Sequence, residues 1–253
     1  MIEVKGIEKS FGETPVLRGI DAKFKKGMTN LIIGQSGSGK TVFLKSLLGL
    51  HVPETGTIAF DGVANKDMNE EDRRQLRQDI GMVFQGSALF DSLTVEENVM
   101  FPMQMFTKSL GPEMLDRVNQ VLKRVNLNNA NKKFPAELSG GMQKRVAIAR
   151  AIVMNPKYLF CDEPNSGLDP KTAIIIDKLI KEITIEYDIT TVINTHDMNS
   201  VMEIGDKIIF LVEGKKIWEG TNTEILNTDN QMINDFVYSS ELFKKVKLTQ
   251  KKN

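Results

Sequence analysis

A glycine-rich segment at residues 34–41 limits the folds that this chain can adopt. It consists of Gly34, Gln35, Ser36, Gly37, Ser38, Gly39, Lys40 and Thr41, and it fits the phosphate-binding pattern G-x-x-x-x-G-K-[ST]. Its glycines allow backbone N–H groups to surround phosphate oxygens, and a helix that begins there directs its positive end at the same anion. Lys40 is therefore predicted to reach the β- and γ-phosphates of a nucleotide, and Thr41 to bind Mg²⁺ through its hydroxyl.

A chance match is the simpler alternative, namely a glycine turn that happens to precede a lysine. The local context argues against it, because the pattern requires a strand before the loop and a helix after it. Apolar residues at 28–33 predict that strand, and residues 40–50 predict that helix. We call residues 34–41 the phosphate loop.

The size and charge of the chain limit its functional class. Its 253 residues are enough for one large domain or for a domain with an inserted subdomain. Basic and acidic residues number 33 each, and this balance argues against a protein whose main partner is nucleic acid. The single cysteine, Cys161, excludes an internal disulfide, favours a reducing compartment and is expected to be a small buried residue.

No segment predicts insertion into a membrane. The first residues, MIEVKGIEKSF, predict a strand and lack the apolar segment and cleavage site of a signal peptide. No stretch approaches the roughly 18 apolar residues that a membrane-spanning helix needs. If the protein works at a membrane, we expect another chain to supply the spans.

Short apolar runs alternate with helical segments along most of the chain. Strands are predicted at 2–7, 16–24, 28–33, 57–60, 80–84, 158–160, 190–194, 207–212 and 216–218, and helices at 40–50, 70–78, 142–154 and 171–187, with a short helix after 194. This order predicts an α/β fold with an open, mainly parallel sheet and helices on its faces. Residues 94–129 predict a helical insertion without strands.

Two acidic residues follow the apolar strand predicted at 158–160. Asp162 and Glu163 would lie at the carboxyl end of a parallel strand, where ligands of such sheets bind. Asp162 is predicted to hold Mg²⁺, directly or through water. Glu163 is predicted to polarise the water that attacks the γ-phosphate. A strand that ends in a solvated turn is the alternative, and the phosphate loop elsewhere in the chain makes it the weaker one.

A second glycine-rich helix start lies at residues 138–143, which read LSGGMQ. Ser139 is a typical helix cap, and a helix start of this kind is a second candidate anion site. A cap alone does not explain Gly140 and Gly141, because two consecutive glycines weaken a helix start. One triphosphate does not need two such helices. A two-fold dimer resolves this if each chain closes this turn over the nucleotide of the other chain. We call residues 138–143 the Ser139 turn.

Together these motifs resemble those of the ATP-binding cassette (ABC) family, and the Ser139 turn is similar to its signature motif. The other motifs of the family follow in the expected order over nearly the whole chain. The resemblance implies a P-loop NTPase fold in which residues 1–253 form one cassette. It also implies a mainly parallel sheet core, an N-terminal antiparallel β part and an inserted helical subdomain at about 94–150 that carries the signature motif.

The resemblance also implies roles for further residues, with ATP and Mg²⁺ as cofactors. Phe11 resembles the aromatic residue that stacks on adenine, although many members carry Tyr there. Gln85 matches the glutamine that touches Mg²⁺ and the attacking water. The loop at 166–169, with Asp169, resembles the loop that crosses between the two sites of the dimer. His196 matches the histidine that senses the γ-phosphate.

One departure concerns the signature itself, which is usually LSGGQ but has Met142 here. The residues expected to face phosphate, namely Ser139, Gly140 and Gly141, are intact. Glu163 is intact as well. The sequence therefore does not resemble a degenerate member that has lost hydrolysis.

The spacing of motifs separates the functional classes of the family. Members that maintain chromosomes carry a long coiled coil or other large insert between Gln85 and the signature, whereas only about fifty residues intervene here, without sustained heptads. Translation-factor members normally carry two cassettes in one chain. The resemblance therefore implies a transporter subunit that works as a head-to-tail homodimer with membrane permease subunits. A nucleotide switch without a membrane partner is the competing interpretation.

Residues 86–99, GSALFDSLTVEENV, indicate a subfamily. They resemble the corresponding stretch of the Mla/Mce-associated ATPases, which serve lipid transport between membranes, and the LSGGM variant and the Asn-Thr-His-Asp run at 194–197 agree. The resemblance implies a peripheral protein at the cytoplasmic face of the membrane, with a lipid-binding Mce-type protein as a candidate partner and no nucleic acid. Amino-acid importer ATPases share much of this framework and remain the alternative.

Two apolar segments have open interpretations. Ala88, Leu89 and Phe90 suit a groove that receives a short helix from a membrane partner, but they could equally pack inside the helical subdomain. The C-terminal tail at 221–253 carries apolar residues and then lysines. It could dock on a partner and lie near anionic lipid, or it could be a solvated tail after a short helix.

Overall fold

The computed structural model describes residues 1–108 and 111–238. The strands are β1 (Ile2–Phe11), β2 (Thr14–Phe24), β3 (Thr29–Ile33), β4 (Thr55–Phe60), β5 (Val63–Ala64), β6 (Ile80–Val83), β7 (Tyr158–Asp162), β8 (Thr190–Asn194), β9 (Lys207–Val212) and β10 (Lys215–Gly220). The α-helices are α1 (Lys40–Leu47), α2 (Glu70–Gln78), α3 (Val95–Phe106), α4 (Gly111–Arg124), α5 (Gly140–Ile152), α6 (Pro170–Glu186), α7 (Met198–Ile204) and α8 (Gln231–Val237).

The strands form two sheets of different character. The first has the order β2-β1-β4-β5 and is antiparallel. The second has the order β10-β9-β3-β8-β7-β6, and its strands are parallel except for the antiparallel β10. β3 and β8 are buried along their whole length, which fits the apolar runs expected of parallel strands covered on both faces. The mainly parallel core and the N-terminal antiparallel part agree with the predicted fold class.

Helix α1 joins the two sheets into one core. Phe43, Leu44 and Leu47 on α1 are buried in a cluster that includes Ile2 of β1 and Phe160 of β7. A second cluster lies on the other face of the parallel sheet and contains the buried sides of α3 to α7. The phosphate loop therefore connects two well-packed elements, the fully buried β3 and the helix α1.

The helical insertion begins where the sequence predicts it. Thr94 accepts a hydrogen bond from the backbone N–H of Glu97, whose carboxylate accepts one in return from the N–H of Thr94. This capping box starts α3. α3 and α4 then pack against α5 through residues such as Val99, Val118 and Val121. Among the described residues, no helix is long and apolar enough to cross a membrane.

Most predicted elements are present, and their ends show where local patterns mislead. The strands at 190–194 and 207–212 and the helix at 70–78 have the predicted bounds. The helix predicted to reach residue 50 ends at Leu47, because Gly49 adopts a left-handed φ of 72° and terminates it. The helix predicted from residue 142 begins at Gly140, because Ser139 is its cap.

The prediction that the C-terminal tail could dock on a partner requires a correction. Ile233 and Val237 of α8 are completely buried in the main core, and Tyr238 is 8% exposed. Residues 231–237 form the short helix that the second alternative predicted, and the buried Val237 and Tyr238 are not available to dock on a partner. The apolar Leu242 and Phe243 and the lysines at 244, 245, 247, 251 and 252 lie outside the described residues.

The parallel topology brings the predicted site residues to one edge of the sheet. The phosphate loop follows β3, Gln85 follows β6, Glu163 follows β7 and His196 follows β8. Carboxyl ends of parallel strands are where α/β proteins bind their ligands. Segments far apart in the chain thus converge on one place.

Candidate functional site

A cleft of about 790 Å³ opens at this edge of the sheet, within the range of small-molecule sites. The described residues that line it are Val16, Gln35, Ser36, Gly37, Gly39, Lys40, Thr41, Val42, Gln85, Glu163, His196 and Phe236. The phosphate loop forms one wall. The rest is formed by Val42 of α1, by residues that follow three other parallel strands, by Val16 of β2 and by Phe236 of the C-terminal helix.

The glycines at both ends of the phosphate loop are required by its shape. Gly34 has φ 153°, and a Cβ there would lie 2.3 Å from the carbonyl oxygen of Leu211. Gly39 has φ 99° at the start of α1, and a Cβ there would lie 3.1 Å from the carbonyl oxygen of Val16. Gly39 offers α1 no side-chain cap, so the first N–H groups of the helix face the cleft. The loop is thus a concave backbone surface suited to an anion.

Lys40 is the buried cation of the cleft. It is 7% exposed, and its Nζ donates to the carbonyl oxygens of Gly34 at 2.8 Å and Gln35 at 2.9 Å. Burial lowers the pKa of Lys40, while the negative charges of Glu163 and Asp162 oppose that shift. An ammonium group has three donors, so these two contacts leave one for a phosphate oxygen.

Glu163 lies at the centre of the site. Its Oε1 lies 2.8 Å from Nδ1 of His196, and its Oε2 accepts a hydrogen bond of 3.3 Å from Nε2 of Gln85. The backbone of Glu163 is left-handed with φ 45°, which costs about 1–2 kcal/mol for a residue with a Cβ. Its N–H donates to the carbonyl oxygen of Asn194, which holds this turn. Strain of this kind is concentrated at functional sites.

Oxygen atoms suited to Mg²⁺ lie in the same region. Asp162 ends β7, and its Oδ1 accepts a hydrogen bond of 3.1 Å from Nδ2 of Asn194. The buried Oδ1 of Asn194 has no hydrogen-bond partner in the described part of the chain. Thr41 and Gln85 line the cleft with a hydroxyl and an amide. Carboxylate, hydroxyl and carbonyl oxygens are the ligands that Mg²⁺ prefers, so the residues present fit the ion.

The segment 85–90, here called the Gln85 loop, is held by two basic side chains of α5. Nζ of Lys144 donates to the carbonyl oxygen of Gln85. The guanidinium of Arg150 donates to the carbonyl oxygens of Ser87 at 2.8 Å and Ala88 at 2.7 Å. Burial lowers the pKa of both Lys144 and Arg150, and for Lys144 the charge of Glu163 opposes this shift. Sequence reasoning did not single out either residue.

The Ser139 turn lies apart from the cleft of its own chain. Oγ of Ser139 accepts a hydrogen bond of 3.3 Å from the N–H of Met142, as a helix cap does. A Cβ on Gly141 would lie 2.7 Å from Cγ2 of Thr172 on α6, whereas one on Gly140 would meet only Leu168 at 3.5 Å. Close packing against Thr172 therefore explains why residue 141 is a glycine, and the sequence alone did not reveal this contact.

The remaining predicted residues are placed as follows. Asp169 caps α6 by accepting hydrogen bonds of 3.1 Å from the N–H groups of Lys171 and Thr172, and hydrogen bonds with Thr172 lower its pKa. Phe11 is 47% exposed and contacts His51 edge to face at 5.2 Å, and it is not among the residues that line the cleft. The roles predicted for Asp169 and Phe11 stay predictions.

Comparison with known proteins identifies the family. Residues 17–166 match the family model described as ABC transporter, a span that holds the phosphate loop, Gln85, the Ser139 turn and Glu163. The chain belongs to the ABC transporter family.

Several relatives of this ABC chain are named as transport ATP-binding proteins. It is 37% identical over 236 residues to the "Probable ribonucleotide transport ATP-binding protein mkl" of Mycobacterium leprae, covering 93% of this chain and 68% of that protein. It is 44% identical over 218 residues to the "Methionine import ATP-binding protein MetN" of Clostridium tetani, covering 86% of this chain and 68% of that protein. The chain thus spans about two thirds of their length. It is also 34% identical over 257 residues to "Protein TRIGALACTOSYLDIACYLGLYCEROL 3, chloroplastic" of Arabidopsis thaliana, covering 95% of this chain and 74% of that protein.

Solved structures of ABC cassettes have the same fold. The "Dimeric Structure of MJ0796, a Bacterial ABC Transporter Cassette" superposes with a TM-score of 0.79 at 34% identity, covering 88% of this chain and 99% of that one. A "post-hydrolysis state of the ATP-binding cassette MJ0796 bound to ADP and Pi" superposes with a TM-score of 0.78 at 33% identity, with the same coverage. The chain is therefore an ATP-binding subunit of an ABC transporter and an ATPase.

Three cleft residues of this ABC ATPase were missed in the sequence. They are Val16 of β2, Val42 of α1 and Phe236 of α8, and they line the cleft beside the phosphate loop. Phe236 packs against Phe210 of β9 with ring centroids 5.2 Å apart. The sequence did show Phe236 as part of an apolar group near the C-terminus, but only the folded chain brings it to the nucleotide cleft.

An apolar groove lies beside the Gln85 loop on the surface of the ABC cassette. It has a volume of about 430 Å³, and its apolar lining includes Phe84, Phe90, Phe101, Pro102 and Phe106. Phe90 is 43% exposed and packs against Phe101 at a centroid distance of 4.8 Å. Leu89 is half-buried against the main core. Internal packing is therefore confirmed for Leu89, whereas the docking of a partner helix in the groove stays a prediction.

Proposed function

We propose that the cleft binds Mg-ATP and that Glu163 polarises the water that attacks the γ-phosphate. The observation that carries this proposal is the position of the Glu163 carboxylate, between His196 at 2.8 Å and the Gln85 amide at 3.3 Å. These two partners orient the carboxylate from both of its oxygens. A fixed carboxylate near the reacting group supplies the positioning and charge stabilisation that phosphoryl transfer needs.

The other cleft residues would hold the nucleotide. The N–H groups of the phosphate loop and the free donor of Lys40 suit the β- and γ-phosphates. Thr41, Gln85 and Asp162 would hold Mg²⁺, which when bound neutralises developing negative charge on the phosphates. Val16, Val42 and Phe236 supply the apolar side chains of the lining. Phe11, which lies outside this lining, would stack on adenine only if the bound nucleotide extends along the β1–β2 hairpin.

We further propose that each site is shared between two copies of the chain. The Ser139 turn is a capped helix start that lies apart from the cleft of its own chain. A head-to-tail pair would bring Ser139 and Gly140 to the γ-phosphate of the partner's nucleotide, with Asp169 close to the crossing between sites. Dimeric cassettes among the structural relatives support this arrangement.

The apolar groove is the proposed contact with membrane permease subunits. It is rimmed by Arg77 and Arg150 and adjoins the Gln85 loop, so a short helix lodged there would lie next to the site. The permease would hold this chain at the cytoplasmic face of a cell membrane. Closure on ATP and reopening after hydrolysis would then be transmitted through this contact.

The transported substrate is proposed to be a phospholipid or related lipid, moved between membranes with a lipid-binding Mce-type protein as a further partner. The resemblance of residues 86–99 to the Mla/Mce-associated ATPases supports this, as does a relative whose name contains a galactolipid. Import of methionine or another amino acid is the second candidate, favoured by the 44% identity to a methionine import protein. Purification with the native membrane partners decides between them, because bound phospholipid or binding of methionine is measurable by mass spectrometry.

The test of hydrolysis is Glu163→Gln. This change removes the carboxylate charge and keeps the size of the side chain, so ATP hydrolysis is expected to fall by about 100-fold or more, while ATP still binds and the dimer accumulates in its closed form. Hydrolysis is measured as phosphate release, and dimer formation by size-exclusion chromatography with ATP. Glu186→Gln, on the exposed end of α6, is the matched control and is expected to hydrolyse ATP normally. Retained hydrolysis in Glu163→Gln would exclude Glu163 from the proposed role.

A further inference from the structure

The Gln85 loop has a conformation that needs external support. Ser87 and Ala88 are both left-handed, with φ 63° and 48°. This region is unfavourable for residues with a Cβ, so two in succession persist only where neighbouring groups fix them. The carbonyl oxygens of Gln85, Ser87 and Ala88 all accept hydrogen bonds from basic side chains of α5. The loop is therefore attached to α5 along its backbone.

Lys144 makes the contact nearest to the chemistry. It is 4% exposed, and its hydrogen bond within the described residues goes to a neutral carbonyl oxygen rather than to a carboxylate. Burying an ammonium group is costly, and an apolar residue of similar size would stabilise the core at least as well. The position is therefore poorly explained by packing alone. Its charge interacts favourably with Glu163 across the Gln85 loop.

Gln85 connects Lys144 to the catalytic carboxylate. Its backbone carbonyl accepts from Lys144, while its side-chain Nε2 donates to Oε2 of Glu163 at 3.3 Å and to Oγ of Ser166 at 3.2 Å. Movement of the Gln85 backbone would therefore move the amide that orients Glu163. Because α5 begins at the Ser139 turn, any rotation of this helix would reach Glu163 through the same contacts.

We propose that Lys144 is a positioning residue for ATP hydrolysis. It fixes the backbone of Gln85 and so keeps the Gln85 amide on Glu163, which ties the orientation of α5 to the carboxylate of the same chain. The proposal rests on the proposed role of Glu163. It does not require Lys144 to touch nucleotide or water, and Lys144 is not among the residues that line the cleft.

The test is Lys144→Met, which keeps the length of the side chain and removes its charge and donors. Amide hydrogen exchange of the nucleotide-free protein is expected to accelerate about tenfold at Ser87 and Ala88, whose N–H groups donate to the carbonyl oxygens of Phe84 and Gly86. The kcat for ATP is expected to fall about tenfold, while the Kd for a fluorescent ATP analogue changes less than about twofold, because the effect acts on positioning rather than on binding.

Two further variants make the test specific. Lys144→Arg retains a cation with donors and is expected to restore most of the loop protection and of kcat. Arg145→Met is the matched control, because Arg145 is the next cation on α5 but donates to the carbonyl oxygen of Val125, at 2.9 Å, outside the Gln85 loop. It is expected to leave exchange at residues 87 and 88 unchanged.

Three results would overturn the proposal. They are unchanged exchange at Ser87 and Ala88 in Lys144→Met, faster exchange without loss of kcat, and equal effects in Arg145→Met. The exchange measurement uses nucleotide-free protein, so it reports on the loop even if Glu163 is not the catalytic carboxylate. Failure of the proposed function would instead appear as hydrolysis retained in Glu163→Gln.

Discussion

The phosphate loop and the Ser139 turn are both glycine-rich helix starts, yet the structure builds them differently. Gly39 starts α1 with a left-handed φ of 99° and no side-chain cap, and the loop before it curves around a cleft in its own chain. Ser139 starts α5 with an ordinary side-chain cap, and the two glycines after it have no positive φ. The first is a concave backbone surface suited to an anion, and the second is a flat, regular helix end.

The two helix starts can therefore bind a ligand in different ways. A concave loop can surround phosphate oxygens without help, whereas a flat helix end can only close over a ligand that something else holds. Within the described residues, the Ser139 turn does not line the cleft of its own chain. The comparison therefore favours a nucleotide site completed by a second copy. The following predictions test whether the flat turn is supported from within the chain as the structure indicates.

The first prediction concerns the support beneath Gly141. Gly141→Ala is expected to lower the free energy of unfolding by about 2 kcal/mol, because its Cβ would lie 2.7 Å from Cγ2 of Thr172, and overpacking of this kind is destabilising. Thr172→Ser removes that methyl group, so the double variant Gly141→Ala with Thr172→Ser is expected to recover most of the loss. Urea unfolding measures all three proteins.

Gly140→Ala is the matched control for this cycle. Its Cβ would lie 3.5 Å from Leu168, an ordinary contact, and alanine favours a helix more than glycine does. Its unfolding free energy is therefore expected to be equal to or above that of the wild type. If Gly140→Ala and Gly141→Ala destabilise equally, α6 does not support the Ser139 turn in the way the structure shows.

The second prediction concerns Asp177, a buried residue of α6, and its expected effect on the free energy of unfolding is smaller. Asp177 is 3% exposed, and burial raises its pKa to about 6 from an ordinary 3.8. Hydrogen bonds from Ser200 and Asn165 oppose this shift, and the negative charges of Asp197 and Glu203 add to it. The folded protein therefore holds this proton more tightly than the unfolded chain does. The contribution of Asp177 to the free energy of unfolding is therefore complete below pH 3.8 and is lost as the pH rises through 6.

Asp177→Asn removes this titration while keeping an oxygen that accepts from Ser200. Relative to the variant, the wild type is expected to lose about 1 kcal/mol of unfolding free energy between pH 5 and pH 7. Asp235→Asn, at the surface of α8, is the control and is expected to parallel the wild type. A wild-type stability that rises relative to Asp177→Asn over this range would show that Asp177 is charged and stabilising in the folded chain.

The sequence predicted the parts of this molecule that depend on local pattern. The phosphate loop, the acidic end of β7 and the apolar strands can be read from neighbouring residues, and parallel topology then brings the site residues to one edge. What the sequence did not predict depends on contacts across long separations. Examples are Lys144 beneath the Gln85 loop, Thr172 against Gly141, and Phe236 in the cleft.

Residue types alone were also a poor guide at the tail. An apolar group near the C-terminus has the same composition whether it is solvated, docked on a partner or packed in the core of its own chain. Val237 is completely buried in its own core, which local periodicity over seven residues of α8 could not reveal. Gly141 illustrates the converse case, because a glycine that suggested contact with a ligand also makes room for a methyl group within the chain.

Mixing two inactive variants tests the claim that the Ser139 turn of one chain completes the nucleotide site of another. Lys40→Ala loses the phosphate contact, and Ser139→Phe blocks the turn, so each homodimer is expected to lack a competent site. In an equimolar mixture half of the dimers are mixed and each holds one intact site, so about a quarter of wild-type ATP hydrolysis is expected to return. Hydrolysis in the mixture that is no greater than the average of the two separate variants would contradict the claim.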